Sequence, residues 1–159
     1  MAGLDIGQLK HMVVAPMLAS MGLDGAAAVN LLAGTALAES GAMWLRQKAG
    51  GPALGLWQME PATHDDCWVN FLDWRRGSHL YEAVLASLGG DIARCGQLVS
   101  NLRYACAMAR VKYYRAPPPL PRWDDPVGQA LYHKSWYNTA LGAADATANV
   151  PLFRQAIRA

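Results

Sequence analysis

The chain has 159 residues, of which 53% are apolar and 16% charged, with fourteen Lys and Arg against twelve Asp and Glu. The high apolar share excludes a disordered chain, and the length suits one domain that buries about two-thirds of its unfolded surface. A net charge of +2 without a basic stripe argues against a nucleic-acid partner, and no apolar run reaches the roughly 18 residues of a membrane span, so no stable membrane anchor is expected.

The chain reads as helices joined by turns. The first helix is expected from Asp5, its N-cap, to Met21, with Gly22 as the stop and Pro16 as a bend. The second opens at Asp24 and runs to about Ser40, where Gly41 ends it. From Gly50 to Glu60 the chain is glycine-rich and turn-like, although Leu54, Leu56, Trp57 and Met59 are apolar. Pro61 suits the first position of a third helix ending near Arg76 and Gly77. Ser78 caps a short helix that stops at Gly89 and Gly90.

Asp91 is expected to open the longest helix. Ile92, Cys95, Leu98, Leu102, Cys106, Ala109 and Tyr113 recur there at steps of three and four, an apolar stripe. Arg94, Arg103, Arg110 and Lys112 fall off it, on a solvated face. The prolines between Ala116 and Pro121 form a rigid connector. Asp125 and Pro126 start a helix ending near Tyr137, and a last short helix follows from about Ala148. The fold class predicted is a compact, nearly all-α single domain over residues 1–159, with little or no sheet.

Three cysteines, Cys67, Cys95 and Cys106, make no disulfide framework; Cys95 and Cys106 on one helix would lie roughly 16 Å apart. They read as small buried hydrophobes. No CxxC, HExxH or His/Cys cluster is present, so neither metal nor cofactor is expected. Asp5, Lys10 and Pro16 interrupt the opening residues, so no signal peptide is expected, and the protein is expected to stay in the cytoplasm where it is made or to leave by a route other than secretion.

Glutamate occurs only at Glu39, Glu60 and Glu82. Ala28, Leu32, Thr35 and Ala36 share the helical face of Glu39, which places this carboxyl at the edge of a core and at the negative end of a helix. Both settings favour the protonated acid that a general acid requires. The plainer alternative is a helix end in water. Gly55-Leu56-Trp57-Gln58-Met59 suggests a backbone-exposed wall. There Gln58 suits sugar hydroxyls and Trp57 a sugar ring, or else Trp57 is a core aromatic beside a turn glycine. Tyr137 and Asn138 close a helix and reach a cleft, or else form a packed cap.

Ala38-Glu39-Ser40-Gly41, then Gly55-Leu56-Trp57-Gln58-Met59, then Tyr137-Asn138-Thr139 resemble, in that order, the soluble lytic transglycosylase family, which shares the mainly helical lysozyme-like fold. The run from Gly55 through Glu60-Pro61-Ala62-Thr63-His64 to Asp66 is similar to small bacteriophage-encoded members of that superfamily. So is Tyr113-Tyr114-Arg115 followed by the prolines and Trp136 to Gly142. The resemblance covers about residues 28 to 145. It implies Glu39 as catalytic acid/base and Ser40 as a hydroxyl orienting that carboxyl or the substrate. It implies Leu56, Trp57, Gln58 and Met59 as the wall beside the cleaved bond, and Tyr137 with Asn138 as the pair holding Glu39 and the sugar. Trp57 stands where methionine is commoner, and Thr139 follows Asn138 where Ala-Gly is usual.

The activity implied is cleavage of the β-1,4 bond between MurNAc and GlcNAc with formation of 1,6-anhydroMurNAc. The partners implied are the glycan strands of peptidoglycan, with other virion proteins as a second class. The setting implied is an endolysin or virion-associated lysin acting on the host cell wall. A lysozyme-type hydrolase on the same fold is the alternative. If inverting, it needs a second carboxylate about 6.5–9.5 Å away, for which Glu60, Asp65 and Asp66 are candidates. A non-enzymatic phage structural protein is the third reading.

Overall fold

Asp5 accepts a hydrogen bond from Gln8 N at 2.8 Å and so starts the first helix. In the computed structural model, which describes residues 3–90, 92–138 and 145–159, this helix, α1, has three parts: Ile6–Gln8, a π-helical Leu9–Val14 and Ala15–Met21. Pro16 has no N–H for the carbonyl one turn back, and the wider π turn lies immediately ahead of it. Gly22, at φ 68°, closes the helix as expected.

Helix α2, Ala26–Ser40, begins one step later than Asp24 suggests; its N-cap is Gly25, without a side-chain hydrogen bond. Its burial is the larger difference. Periodicity gives it one apolar face, but Ala28, Leu31, Leu32, Ala33, Ala36 and Leu37 are all buried, together with the polar Asn30, Thr35 and Ser40. A helix this short of charge and rich in small residues has no face that requires water, so its neighbours surround it. Polar groups inside then need protein partners. Thr35 Oγ1 donates to Leu31 O at 2.7 Å and meets the Tyr113 hydroxyl at 2.7 Å, while Asn30 Nδ2 donates to Trp123 O at 2.9 Å.

Pro61 takes the first position of α3, which runs through Pro61–Cys67, a π-helical Trp68–Leu72 and a 3₁₀ turn Asp73–Arg75. Ser78 caps α4, His79–Ala86, by accepting from Tyr81 N at 3.2 Å. The expected longest helix is broken. Asp91 lies outside the described residues, and after a 3₁₀ turn the chain forms α5, Gln97–Ser100, and α6, Leu102–Tyr114. Asn101 separates them at φ −121°, ψ 95°, and its side chain caps α6 by accepting from Tyr104 N at 3.1 Å. An asparagine that caps one helix cannot also continue the previous one. Cys95 and Cys106 therefore do not share a helix; Cys67 and Cys106 are buried and Cys95 half-buried.

Two of the four basic residues assigned to a solvated face are not on it. Arg110 is buried and its Nε donates to Leu23 O at 3.1 Å, while Lys112 is half-buried with Nζ on Tyr137 O. Arg94 and Arg103 are exposed. Helix α7 is Pro126–Trp136 with Asp125 as its cap, and α8 is Ala146–Arg158, longer and starting earlier than Ala148 suggests. Helix α8 packs most extensively on α2 and α7. Among the described residues, extended pairing is limited to isolated bridges of Leu54 with Arg46 and Met59, and no helix is long and apolar enough to cross a membrane. The fold is mostly α.

The contact of α2 with α8 has no slack at Gly34. A Cβ there would lie 2.2 Å from Phe153 Cδ1, and Phe153 is fully buried. Gly34→Ala gains about 1 kcal/mol of helix propensity but introduces an overlap that typically costs about 1–3 kcal/mol. A thermal melt is expected to show a lower midpoint. A midpoint at or above wild type would contradict this packing.

Candidate active site

Glu39 sits in the last turn of α2. Gly41 ends that helix at φ 62°, with Gly41 N bonded to Leu37 O at 2.9 Å and Ala42 N to Ala36 O at 3.0 Å. Only a left-handed residue closes the helix this way, which is why glycine stands there. The Glu39 side chain keeps 14% of its surface exposed, at the C-terminal end of a mostly buried helix.

The chain then doubles back into a tight turn. Leu54 and Met59 exchange backbone hydrogen bonds at 3.0 Å, and Gly55 N donates to Leu45 O at 2.8 Å. Gly55 has φ 74°, and a Cβ on it would fall 2.0 Å from Leu98 O, so no other residue fits without moving the chain. Gln58 also has positive φ, 45°, the strained state of a non-glycine residue at the tip of the turn.

Three hydrogen bonds fasten this turn to the helices beside it. Ser40 Oγ donates to Leu56 O at 2.7 Å. Trp57 Nε1 donates to Leu32 O at 2.9 Å. The Tyr137 hydroxyl donates to Trp57 O at 2.8 Å. The side chains of Leu56, Trp57 and Met59 are buried in the core, and Ser40 is buried with them. The Trp57 ring is 1% exposed, so it presents no flat surface to a sugar. Gln58 is the half-buried member of the group; its Nε2 donates to Gly55 O at 2.8 Å and lies 3.4 Å from Trp44 O. Trp44, 40% exposed, is the accessible aromatic beside this turn.

Tyr137 does not hydrogen-bond to Glu39, because its hydroxyl is taken by Trp57 O. His133 occupies that place. Its Nε2 is 2.7 Å from Glu39 Oε1, and Asn138 Nδ2 lies 3.5 Å from the same oxygen. His133 is wholly buried, stacked on Tyr137 with centroids 5.9 Å apart and tilted against Phe153 at 5.6 Å. The sequence carried one signal for it: His133 stands four residues before Tyr137, one helical turn away on the same face. Thr139 to Gly142, the rest of the motif, lie outside the described residues.

Lys112 completes the surroundings. Its Nζ donates to Tyr137 O and lies 4.2 Å from the centre of the Tyr137 ring. Burial pushes its ammonium below the ordinary lysine value, opposed by the charges of Glu39 and Glu60. Burial holds the Tyr137 phenol well above its ordinary value, and the charge of Glu39 adds to this, so Tyr137 remains a donor. Among the described residues, His133 Nδ1 and Asn138 Oδ1 are buried polar atoms without a hydrogen-bond partner. Asp65 contacts His64 Nδ1 at 2.8 Å and Asp66 pairs with Arg115 at 2.6 Å, so both have partners of their own. No group of three or more His, Cys, Asp or Glu among the described residues could hold a metal ion. Comparisons of the chain with protein-family models, curated proteins and solved structures found no match.

The Tyr137 hydroxyl joins the end of α7 to the turn. Tyr137→Phe leaves the Trp57 carbonyl buried without a donor, which costs about 1–3 kcal/mol. Denaturant unfolding is expected to show that loss. An unchanged midpoint would mean that the hydroxyl does not hold the turn.

Proposed function

We propose that this chain is a peptidoglycan-cleaving lytic transglycosylase of phage type, with Glu39 as its single acid/base. The observation that carries this reading is the setting of Glu39. It is a carboxyl at the solvent-reaching end of a buried helix, with His133 Nε2 at 2.7 Å and Asn138 Nδ2 at 3.5 Å from its Oε1. A carboxyl positioned in this way suits a reaction that needs one proton given and one taken back.

In this reading Glu39 gives its proton to the oxygen linking MurNAc to GlcNAc. The bond from the MurNAc anomeric carbon to that oxygen breaks, and its electron pair leaves with GlcNAc. The ring passes through an oxocarbenium-like state. The MurNAc 6-hydroxyl closes on the anomeric carbon and returns its proton to Glu39. The product is a 1,6-anhydro sugar, and no water is consumed. Gln58 is the half-buried wall residue; its Nε2 is held by Gly55 O, which leaves its amide oxygen for sugar hydroxyls.

Mass spectrometry of muropeptides released from purified peptidoglycan tests this. Wild type is expected to yield anhydro ends, and Glu39→Gln to lose at least about 10²-fold in rate while still folding. Reducing ends would indicate a lysozyme-type hydrolase, and no release would indicate a non-enzymatic phage structural protein. Proton transfer alone closes the reaction, so a chelator should leave the wild-type rate unchanged. Loss of activity with a chelator, restored by one divalent ion, would contradict the mechanism.

A further inference from the structure

We propose that His133 is the positioning residue of the acid and that it makes Oε2 of Glu39 the oxygen that carries the reacting proton. This rests on the reading of Glu39 as acid/base.

His133 has little freedom. It lies on the buried face of α7, with no exposed surface, in a slot between Tyr137 and Phe153. Its two ring nitrogens differ in their surroundings. Nδ1 is buried and has no partner, whereas Nε2 is 2.7 Å from Glu39 Oε1. A buried lone pair without a partner is easier to tolerate than a buried N–H without one, so the hydrogen belongs on Nε2. The ring therefore donates to Glu39.

The second donor converges on the same atom. Asn138 Nδ2 is 3.5 Å from Oε1, and Asn138 N is bonded to His133 O at 3.0 Å, so the two donors are fixed relative to each other. Among the described residues, every hydrogen bond to Glu39 ends on Oε1. An oxygen facing two N–H groups has no room for a hydrogen of its own. The acid proton then sits on Oε2. Oε2–H protonates the glycosidic oxygen as the C1–O bond breaks, and Oε2 takes the proton back from the 6-hydroxyl as the C1–O6 bond forms. Without His133 the carboxyl turns about its last bond and either oxygen carries the proton. A replacement that fills the slot keeps Tyr137 packed and so keeps the turn it fastens.

The test compares three variants on purified, peptide-free peptidoglycan glycan strands, with kcat, KM and a thermal melt for each. His133→Phe fills the aromatic slot but removes the donor. His133→Gln places an amide N–H near the position of Nε2, and His133→Asn places one near Nδ1, short of Glu39. The expected result is a kcat loss of about 10–100-fold for His133→Phe at unchanged KM, with His133→Gln recovering most of the rate although it melts no higher than His133→Phe. His133→Asn should stay slow, and the Gln and Asn pair decides if His133→Phe fails to fold. A purely structural role predicts the reverse, the aromatic variant active and the amide variants not. Full kcat in His133→Phe, or no advantage of Gln over Asn, overturns the inference while leaving Glu39 as the acid. An inactive wild type overturns both.

Discussion

The burial of one helix on all sides governs the rest of this structure. Helix α2 carries almost no charge and presents small or apolar residues in every direction, so nothing prevents other helices from enclosing it. Enclosure forces each polar group along it to find a protein partner. Thr35 meets Tyr113, Asn30 meets the carbonyl of Trp123, and the carbonyl of Leu32 receives the indole of Trp57. Its two ends reach solvent, and Glu39 stands at the C-terminal one. A carboxyl so placed is held by the whole core, because moving it means moving α2.

The same constraint explains why residues far apart in the chain meet at this point. Ser40 and Trp57 fasten the tight turn to α2, and Tyr137 fastens it to the end of α7. His133, one turn earlier on α7, then reaches Glu39 across 94 residues of sequence. Positive φ at Gly55 and Gln58 is sustained because these three hydrogen bonds fix the turn from both sides. Rigid support behind a partly exposed acid is the arrangement that positioned proton transfer requires.

Features set by neighbouring residues were legible in the sequence. The caps at Asp5, Ser78 and Asp125, the stops at Gly22 and Gly41, and Pro61 at a first helical turn all follow from side-chain reach and backbone preference over a few residues. Features set by what packs nearby were not. Periodicity assigned α2 one inner face, since it cannot register that every other face is also covered. It carried an apolar stripe straight through Asn101, where the competing side-chain cap prevailed. Arg110 and Lys112 looked solvated because their acceptors, the carbonyls of Leu23 and Tyr137, come from distant parts of the chain. At the site, Ser40, Trp57 and Tyr137 serve as fastenings of the turn. Trp57 and Ser40 spend their polar atoms on backbone carbonyls, and the shorter contact to Glu39 comes from His133, outside the motif, with Asn138 at 3.5 Å.

The central claim is that a glycan binds with its linking oxygen against Glu39. A crystal structure of the Glu39→Gln variant with an alternating MurNAc–GlcNAc tetrasaccharide tests it most directly. The account predicts a linking oxygen within about 2.6–3.2 Å of the amide at position 39. A glycan seated elsewhere on the surface, or none bound at saturating concentration, would contradict it.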